Sequence, residues 1–172
     1  MEKIKATLKG STISSNKKEA QQLCSKSCFG EPKSGKVYYS LVEALFLLEN
    51  KKLELTEKSK KVTFEKLMQI SEKSDKKIRI KYSVFRDMRK KGYIVKTALK
   101  FGAEYRVYGK GCRPGKGHAK WILYPVSESI RLTWHDFSAK SRVAHSTRKN
   151  LLIAVVDEEL DITYYEISWM KP

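Results

Sequence analysis

Residues 148–156 read RKNLLIAVV. From Leu151 to Val156 the run is apolar without interruption, the pattern of a strand covered on both faces. A strand of that kind needs packed layers on either side, so it points to an α/β unit built on a central sheet. Immediately upstream, Thr133 and Asp136 have the spacing of a helix cap, and Trp134, Phe137, Val143 and Ala144 follow as the helix's apolar residues. Arg148 and Lys149 close that helix. Downstream lies an acidic turn (Asp157, Glu158, Glu159, Asp161), then an alternating strand over residues 162–170. Working further back, residues 119–125, 103–108 and 93–99 read as strands. Residues 78–91 read as an amphipathic helix with Ile78, Tyr82, Phe85 and Met88 on one face and Gly92 as its C′ residue. The C-terminal part is therefore expected to be an α/β domain, residues 77–172, with a mixed central sheet flanked by helices.

The pattern breaks at residues 74–77, and residues 1–76 read as a separate α+β domain, a hairpin plus helices. Ile4, Ala6, Leu8 and Ile13 alternate around a Gly-Ser turn. Residues 14–36 are polar and suggest a short helix near residues 17–23 followed by a loop. Ser40 and Glu43 form a capping box ahead of Leu41, Ala44, Leu45 and Leu48, and Asn50 stops that helix. A brief strand at residues 52–55 precedes the lysine run at 58–61. Thr63 then caps a helix carrying Phe64, Leu67 and Met68. The lysine runs read as solvated helix faces.

The chain of 172 residues carries 36 Lys and Arg against 19 Asp and Glu, a net charge of +17, with 41% hydrophobic residues. That surplus points to a polyanion, most often nucleic acid. No apolar run is long enough to span a membrane, and MEKIKATLKG lacks the apolar core of a signal peptide. Cys24, Cys28 and Cys112 are odd in number and lack a second cysteine pair for a zinc site. The expected setting is a reducing cytoplasm, with no cofactor.

Between two of the strands, residues 100–121 read KFGAEYRVYGKGCRPGKGHAKW. Tyr108 ends the first strand and His118 ends a loop with glycines at 109, 111, 115 and 117. RNA carries its own nucleophile, the 2′-hydroxyl. Cleaving it without a metal needs a base for that proton, an acid for the 5′ oxygen and a cation for the phosphorane. Histidine, titrating near 6.5, is a sound acid, whereas about one tyrosine in a thousand is ionised at pH 7 without help. Lysine in the form of Lys149 is a natural charge stabiliser. Lys110, Arg113 and Lys116 surround the loop with positive charge that attracts a phosphate backbone. Taken singly, each residue also has a purely structural reading: strand packing for Tyr108, an idle loop imidazole for His118, a helix-dipole cation for Lys149.

Several long strings, in order, resemble the archaeal tRNA-splicing endonucleases. They are YSLVEALFLLE, RDMRKKGYIVKTALKFG, FGAEYRVYGKG, GHAKW, SRVAHSTRKNLLIAVVD and ISWMKP, together covering the chain from about residue 38 to its end. The resemblance implies that Tyr108 is the general base, His118 the general acid and Lys149 the transition-state stabiliser, with no metal in the chemistry. It implies cleavage of precursor tRNA at a bulge-helix-bulge, giving a 2′,3′-cyclic phosphate and a 5′-hydroxyl. Arg142 matches an arginine that sandwiches a bulge base, and Trp169 falls near its partner. Trp169 also fits a residue buried at a strand-paired dimer interface. Asp157, Glu158, Glu159 and Asp161 resemble a loop that plugs a basic groove on a neighbouring subunit, and equally fit an exposed hairpin turn. The implied assembly is a homotetramer, or a two-plus-two heterotetramer with a structural subunit. Residues 21–36, with two of the cysteines, depart from the family pattern. The competing readings are a basic RNA-binding scaffold without catalysis and a metal-dependent DNA nuclease. The second lacks paired carboxylates beside a lysine near the site.

Overall fold

The structure, a computed structural model, describes residues 3–98 and 102–170. Residues 99–101, which the sequence assigns to a strand end and the turn after it, lie outside the described residues, as do the two at each terminus. The chain divides into two contact units, the first ending at Tyr82 and the second beginning at Ser83.

In the first unit, β1 (Ile4–Lys9) alternates buried Ile4, Ala6 and Leu8 with exposed Lys5, Thr7 and Lys9. It pairs antiparallel with β2 (Thr12–Ser15) and parallel with β5 (Leu53–Glu57). Between these lie α1 (Lys18–Ser27), β3 (Glu31–Lys33), β4 (Lys36–Tyr39) and α2 (Leu41–Glu49); β6 (Lys60–Val62) and α3 (Phe64–Ser74) follow. The sheet has six strands in the order β3-β4-β2-β1-β5-β6, much larger than the hairpin and short strand expected. The segment read as a loop up to residue 36 contains β3 and the start of β4. They escape a pattern search because β3 is three exposed residues including Pro32, which sequence patterns tolerate only at a sheet edge. The lysine run at 58–61 is not a helix face. Lys58 and Ser59 take left-handed conformations and turn β5 into β6.

The capping box is as read: Ser40 Oγ accepts the Glu43 N–H, and the Glu43 carboxylate accepts the Ser40 N–H. Buried Glu43 also accepts the Gly30 N–H at 3.0 Å, so the helix cap anchors the chain entering β3. Apolar packing is closed by stacked Phe29 and Phe46 and by Phe64 against Tyr82, whose hydroxyl donates to Glu49 at 2.9 Å. Cys24 and Cys28, on and just after α1, form no disulfide, and the Cys24 thiol donates to the Gly30 carbonyl at 3.7 Å.

α4 (Ile78–Lys90) opens on Asp75, whose carboxylate accepts the Lys77 N–H at 2.9 Å and the Lys81 ammonium at 2.7 Å. At its end, Gly92 N–H bonds Arg89 O and Tyr93 N–H bonds Met88 O, a Schellman motif with Gly92 at φ +89°. The second unit then builds a five-stranded sheet from β7 (Ile94–Thr97), β8 (Tyr105–Tyr108), β9 (Trp121–Ser127), β10 (Asn150–Val156) and β11 (Ile162–Ile167), in the order β11-β10-β9-β8-β7. Only β9 and β10 run parallel, so the sheet is mixed. The strands sit within one to three residues of their expected limits, although β11 stops at Ile167. Leu151, Leu152, Ile153 and Ala154 are all buried, as an uninterrupted apolar strand in the middle of a sheet requires. α5 (Trp134–Ser146) covers one face, with Ala144, Phe137 and Val143 against Ile122, Tyr124, Leu151 and Ile153. On the other face Phe85 of α4 packs on Tyr105 with ring centroids 5.9 Å apart, and Tyr164 donates to Asp87 at 2.7 Å. Trp134, read as an apolar residue of α5, is instead 82% exposed and stands edge-on to Phe137. No described helix is long and apolar enough to cross a membrane.

Candidate active site

The site is set by strand register. Val107 of β8 lies opposite Trp121 of β9, and Asn150 of β10 lies opposite the same Trp121. Tyr108 and Lys149 are each one residue beyond that row, at the same end of the sheet. They are separated by two strand spacings, roughly 10 Å between backbones. Both share the alternation phase of Ile122 and Leu151, the face that α5 covers. Lys120 closes the row: its N–H donates to Val107 O at 2.8 Å, and its carbonyl accepts the Asn150 N–H at 3.1 Å. The Tyr108 side chain is buried, His118 is exposed, and Lys149 is half-buried.

Lys149 does not close a helix, as the sequence suggested. α5 ends earlier, at Ser146, because Arg148 adopts φ +55° and completes a Schellman motif. Arg148 N–H bonds His145 O at 2.9 Å, and Lys149 N–H bonds Ala144 O at 2.9 Å. Lys149 is thus the C″ residue, turned from the helix end into β10. Its ammonium donates to Thr147 O at 2.6 Å, while the Thr147 hydroxyl donates to Val143 and Ala144 carbonyls. The negative end of the helix holds the cation next to the sheet. The sequence reading missed this contact, because the group that holds the ammonium is a backbone carbonyl, which any residue at position 147 supplies.

His118 is positioned by the loop between β8 and β9. Two turns fold it back, through Cys112 N–H to Gly109 O and Lys116 N–H to Arg113 O. Gly111 and Gly115 supply the left-handed conformations they need. Pro114 bridges to Gly117. The Cys112 thiol donates to the carbonyl of His118 at 3.5 Å, and it packs where a side chain at Gly117 would stand. Cys112 was read only as an unpaired thiol; its partner lies six residues away across the loop, out of reach of any periodicity. Lys110, Arg113 and Lys116 project from the same loop, with the Lys110 ammonium 5.5 Å above the Tyr93 ring. A phenol and an ammonium therefore stand at one end of three adjacent strands, with the imidazole on the loop that enters the middle strand, among basic side chains. That set holds an acid, a base and an oxyanion partner. Among the described residues, no group of three His, Cys, Asp or Glu side chains is arranged to hold a metal ion.

The family model for the catalytic C-terminal domain of tRNA intron endonuclease matches residues 78–164, and the model for its N-terminal domain matches residues 4–68. The chain belongs to the tRNA intron endonuclease family. The tRNA-splicing endonuclease of Thermococcus onnurineus is 42% identical over 171 residues, covering 99% of this chain and 98% of that protein. That of Pyrococcus horikoshii is 40% identical over 169 residues, covering 98% and 97%. That of Methanothermobacter thermautotrophicus is 40% identical over 153 residues, covering 89% of each.

In this member of the tRNA intron endonuclease family the remaining candidates fall into two patches. Arg142 is exposed on α5, three residues before His145 and so on the same helix face. Trp169 is 65% exposed and lies against His145 with ring centroids 4.2 Å apart. Arg142, His145 and Trp169 thus share one surface. His145, exposed in the last turn of α5, is its middle. The acidic turn joins β10 to β11. Asp157 spends its carboxylate inside the turn, accepting the N–H groups of Glu159 at 3.0 Å and Asp161 at 2.8 Å. Glu158, Glu159 and Asp161 remain exposed to solvent.

Proposed function

We propose that the chain is a metal-independent RNA endonuclease that excises introns from precursor tRNA at bulge-helix-bulge motifs. The observation that carries the reading is that strand register puts Tyr108 and Lys149 at one end of the sheet on either side of Lys120, with His118 two residues before Lys120 on the loop that enters β9. The three relatives named above are tRNA-splicing endonucleases by name, which supports the substrate class.

The chemistry follows from these side chains. Tyr108, acting as its phenolate, takes the proton of the 2′-hydroxyl and becomes the neutral phenol, while the 2′ oxygen attacks the adjacent phosphorus. Charge on the pentacovalent phosphorane is met by the Lys149 ammonium, which exchanges its bond to Thr147 O for one to a phosphate oxygen. His118, exposed on its loop, delivers a proton to the departing 5′ oxygen. The P–O5′ bond breaks, leaving a 2′,3′-cyclic phosphate and a 5′-hydroxyl. Lys110, Arg113 and Lys116 hold the backbone, and Arg142 with Trp169 takes a bulge base by stacking.

The assembly we expect is a tetramer, either four copies or two copies with two structural subunits. Two features support it: the outward acids of the 157–161 turn, and a neighbouring apolar groove lined by Ile130, Leu132, Ile153, Val155, Tyr165 and Ile167. The test is His118→Ala and Tyr108→Phe in the purified protein with precursor tRNA. Cleavage should fall by orders of magnitude while RNA affinity stays within a few-fold. Unchanged cleavage in either variant removes that residue from the mechanism, and lost binding in both reassigns the site to RNA docking.

A further inference from the structure

The six-stranded sheet of the first unit buries one face under its helices and leaves the other open, and the open face has an unusual composition. Across its middle, Ser14, Thr7 and Thr56 lie in register on β2, β1 and β5. They form a floor of short hydroxyl side chains spaced by about 4.8 Å. Lys5 and Lys9 flank Thr7 along β1, and Lys17 and Lys36 stand at the β2 and β4 side. Together with Glu54 these residues line a concavity of about 440 Å³. A floor of small polar groups inside a fence of long cations admits a chain of anions and offers little to an apolar ligand.

The lysines are not spent elsewhere. Lys5, Lys9, Lys17 and Lys36 are exposed, and none of their ammonium groups has an ion-pair or hydrogen-bond partner among the described residues. At the β3–β4 edge, Lys33 and Lys36 face each other directly in register, a like-charge pairing that disfavours the free sheet and that a bound polyanion relieves. Among the described residues Glu54, opposite Lys5, is the single carboxylate lining the concavity, against four lysines.

We propose that this open sheet face is a second RNA-binding surface, which takes the phosphodiester backbone of the substrate outside the region that is cleaved. It rests on the reading of the substrate as precursor tRNA, and it assigns the first unit a role in grasping that substrate. Recognition there is by charge and backbone hydroxyls, so it is independent of sequence.

The test compares Lys5→Gln/Lys9→Gln/Lys36→Gln with Lys66→Gln/Lys73→Gln/Lys76→Gln, which removes three exposed lysines on and just after α3 instead. Binding is measured against salt with a whole precursor tRNA and with a short bulge-helix-bulge hairpin. Each lost phosphate contact lowers the slope of log K against log salt by about 0.7–0.9, so the sheet-face variant should lose about two for the whole precursor. The short hairpin should be bound and cleaved as before, and the α3 variant should keep the full slope. Thr7→Glu, a single exposed change in the floor, should weaken the same precursor binding. An unchanged slope in the sheet-face variant overturns the proposal, as does an equal loss in the α3 variant or an equal loss on the short hairpin. Failure of the unaltered protein to cleave either RNA would count against the catalytic reading alone, because the salt slopes remain readable.

Discussion

Replacing Gly117 by alanine tests how tightly the candidate acid is held. A Cβ at Gly117 would stand 2.4 Å from the Cys112 sulfur, and the next atom within reach is the Cys112 Cβ at 4.0 Å. At 2.4 Å something must yield. Either the thiol rotates away and abandons the His118 carbonyl, or the loop opens at the Pro114–Gly117 bridge. Overpacking of this kind costs about 1–3 kcal/mol, and a misplacement of about 1 Å at a reacting group costs about a hundredfold in rate. Gly117→Ala should therefore lower kcat for RNA cleavage by one to two orders of magnitude, with KM nearly unchanged. Adding Cys112→Ala removes the sulfur and leaves an ordinary contact near 4 Å, so the double variant should recover much of the lost rate. Single-turnover cleavage of the four proteins gives the coupling directly. Normal activity in Gly117→Ala, or no recovery in the double variant, refutes the claim that the Cys112–Gly117 contact positions His118.

Arg148→Gly removes the strain of a left-handed arginine, worth about 1–2 kcal/mol, and should raise the midpoint of chemical denaturation; a lower midpoint would show that the arginine side chain stabilises more than its backbone costs. Burial, and then the bond to Asp87, push the Tyr164 hydroxyl well above the ordinary tyrosine range. Because its folded-state pKa is raised, the proton is held more tightly when folded, and stability should fall as pH climbs above the unfolded value near 10. Tyr164→Phe should flatten that alkaline loss while costing about 1.5–3 kcal/mol near neutral pH; an alkaline profile identical to the unaltered protein's would contradict the assignment. Thr133→Ala, which removes the hydroxyl that accepts the Asp136 N–H and donates to its carboxylate at 2.6 Å, should cost about 1 kcal/mol. Thermal melts should show no cost if the cap is not formed in solution.

What could be read from sequence, and what could not, divides along physical lines. Both capping boxes were legible because their chemistry is local, a hydroxyl and a carboxylate three residues apart. The end of α4 was legible because glycine advertises a left-handed residue. The ends of α2 and α5 use the same motif with Lys51 and Arg148 in the left-handed position, which no composition rule marks. That is why Lys149 was taken for the last helical residue when it is the first of the approach to β10. Residues 151–156 declared a strand buried on both faces because tertiary burial and local pattern agree there. β3 did not, because an exposed edge strand with a proline has no alternation to detect. At the site, Tyr108 and His118 were legible as residue types flanking a glycine-rich loop. The contacts that hold Lys149 and His118, from the Lys149 ammonium to Thr147 O and from the Cys112 thiol to the His118 carbonyl, depend on how a turn folds back and became visible only in three dimensions.

The measurement that tests the central claim most directly is cleavage of a bulge-helix-bulge RNA by the purified protein in EDTA, with the product ends identified and the assembly mass read by light scattering. The account predicts cleavage without metal by a tetramer, with a 2′,3′-cyclic phosphate on one fragment and a 5′-hydroxyl on the other. Cleavage that requires added divalent metal, or products ending in a 3′-hydroxyl and a 5′-phosphate, would contradict it.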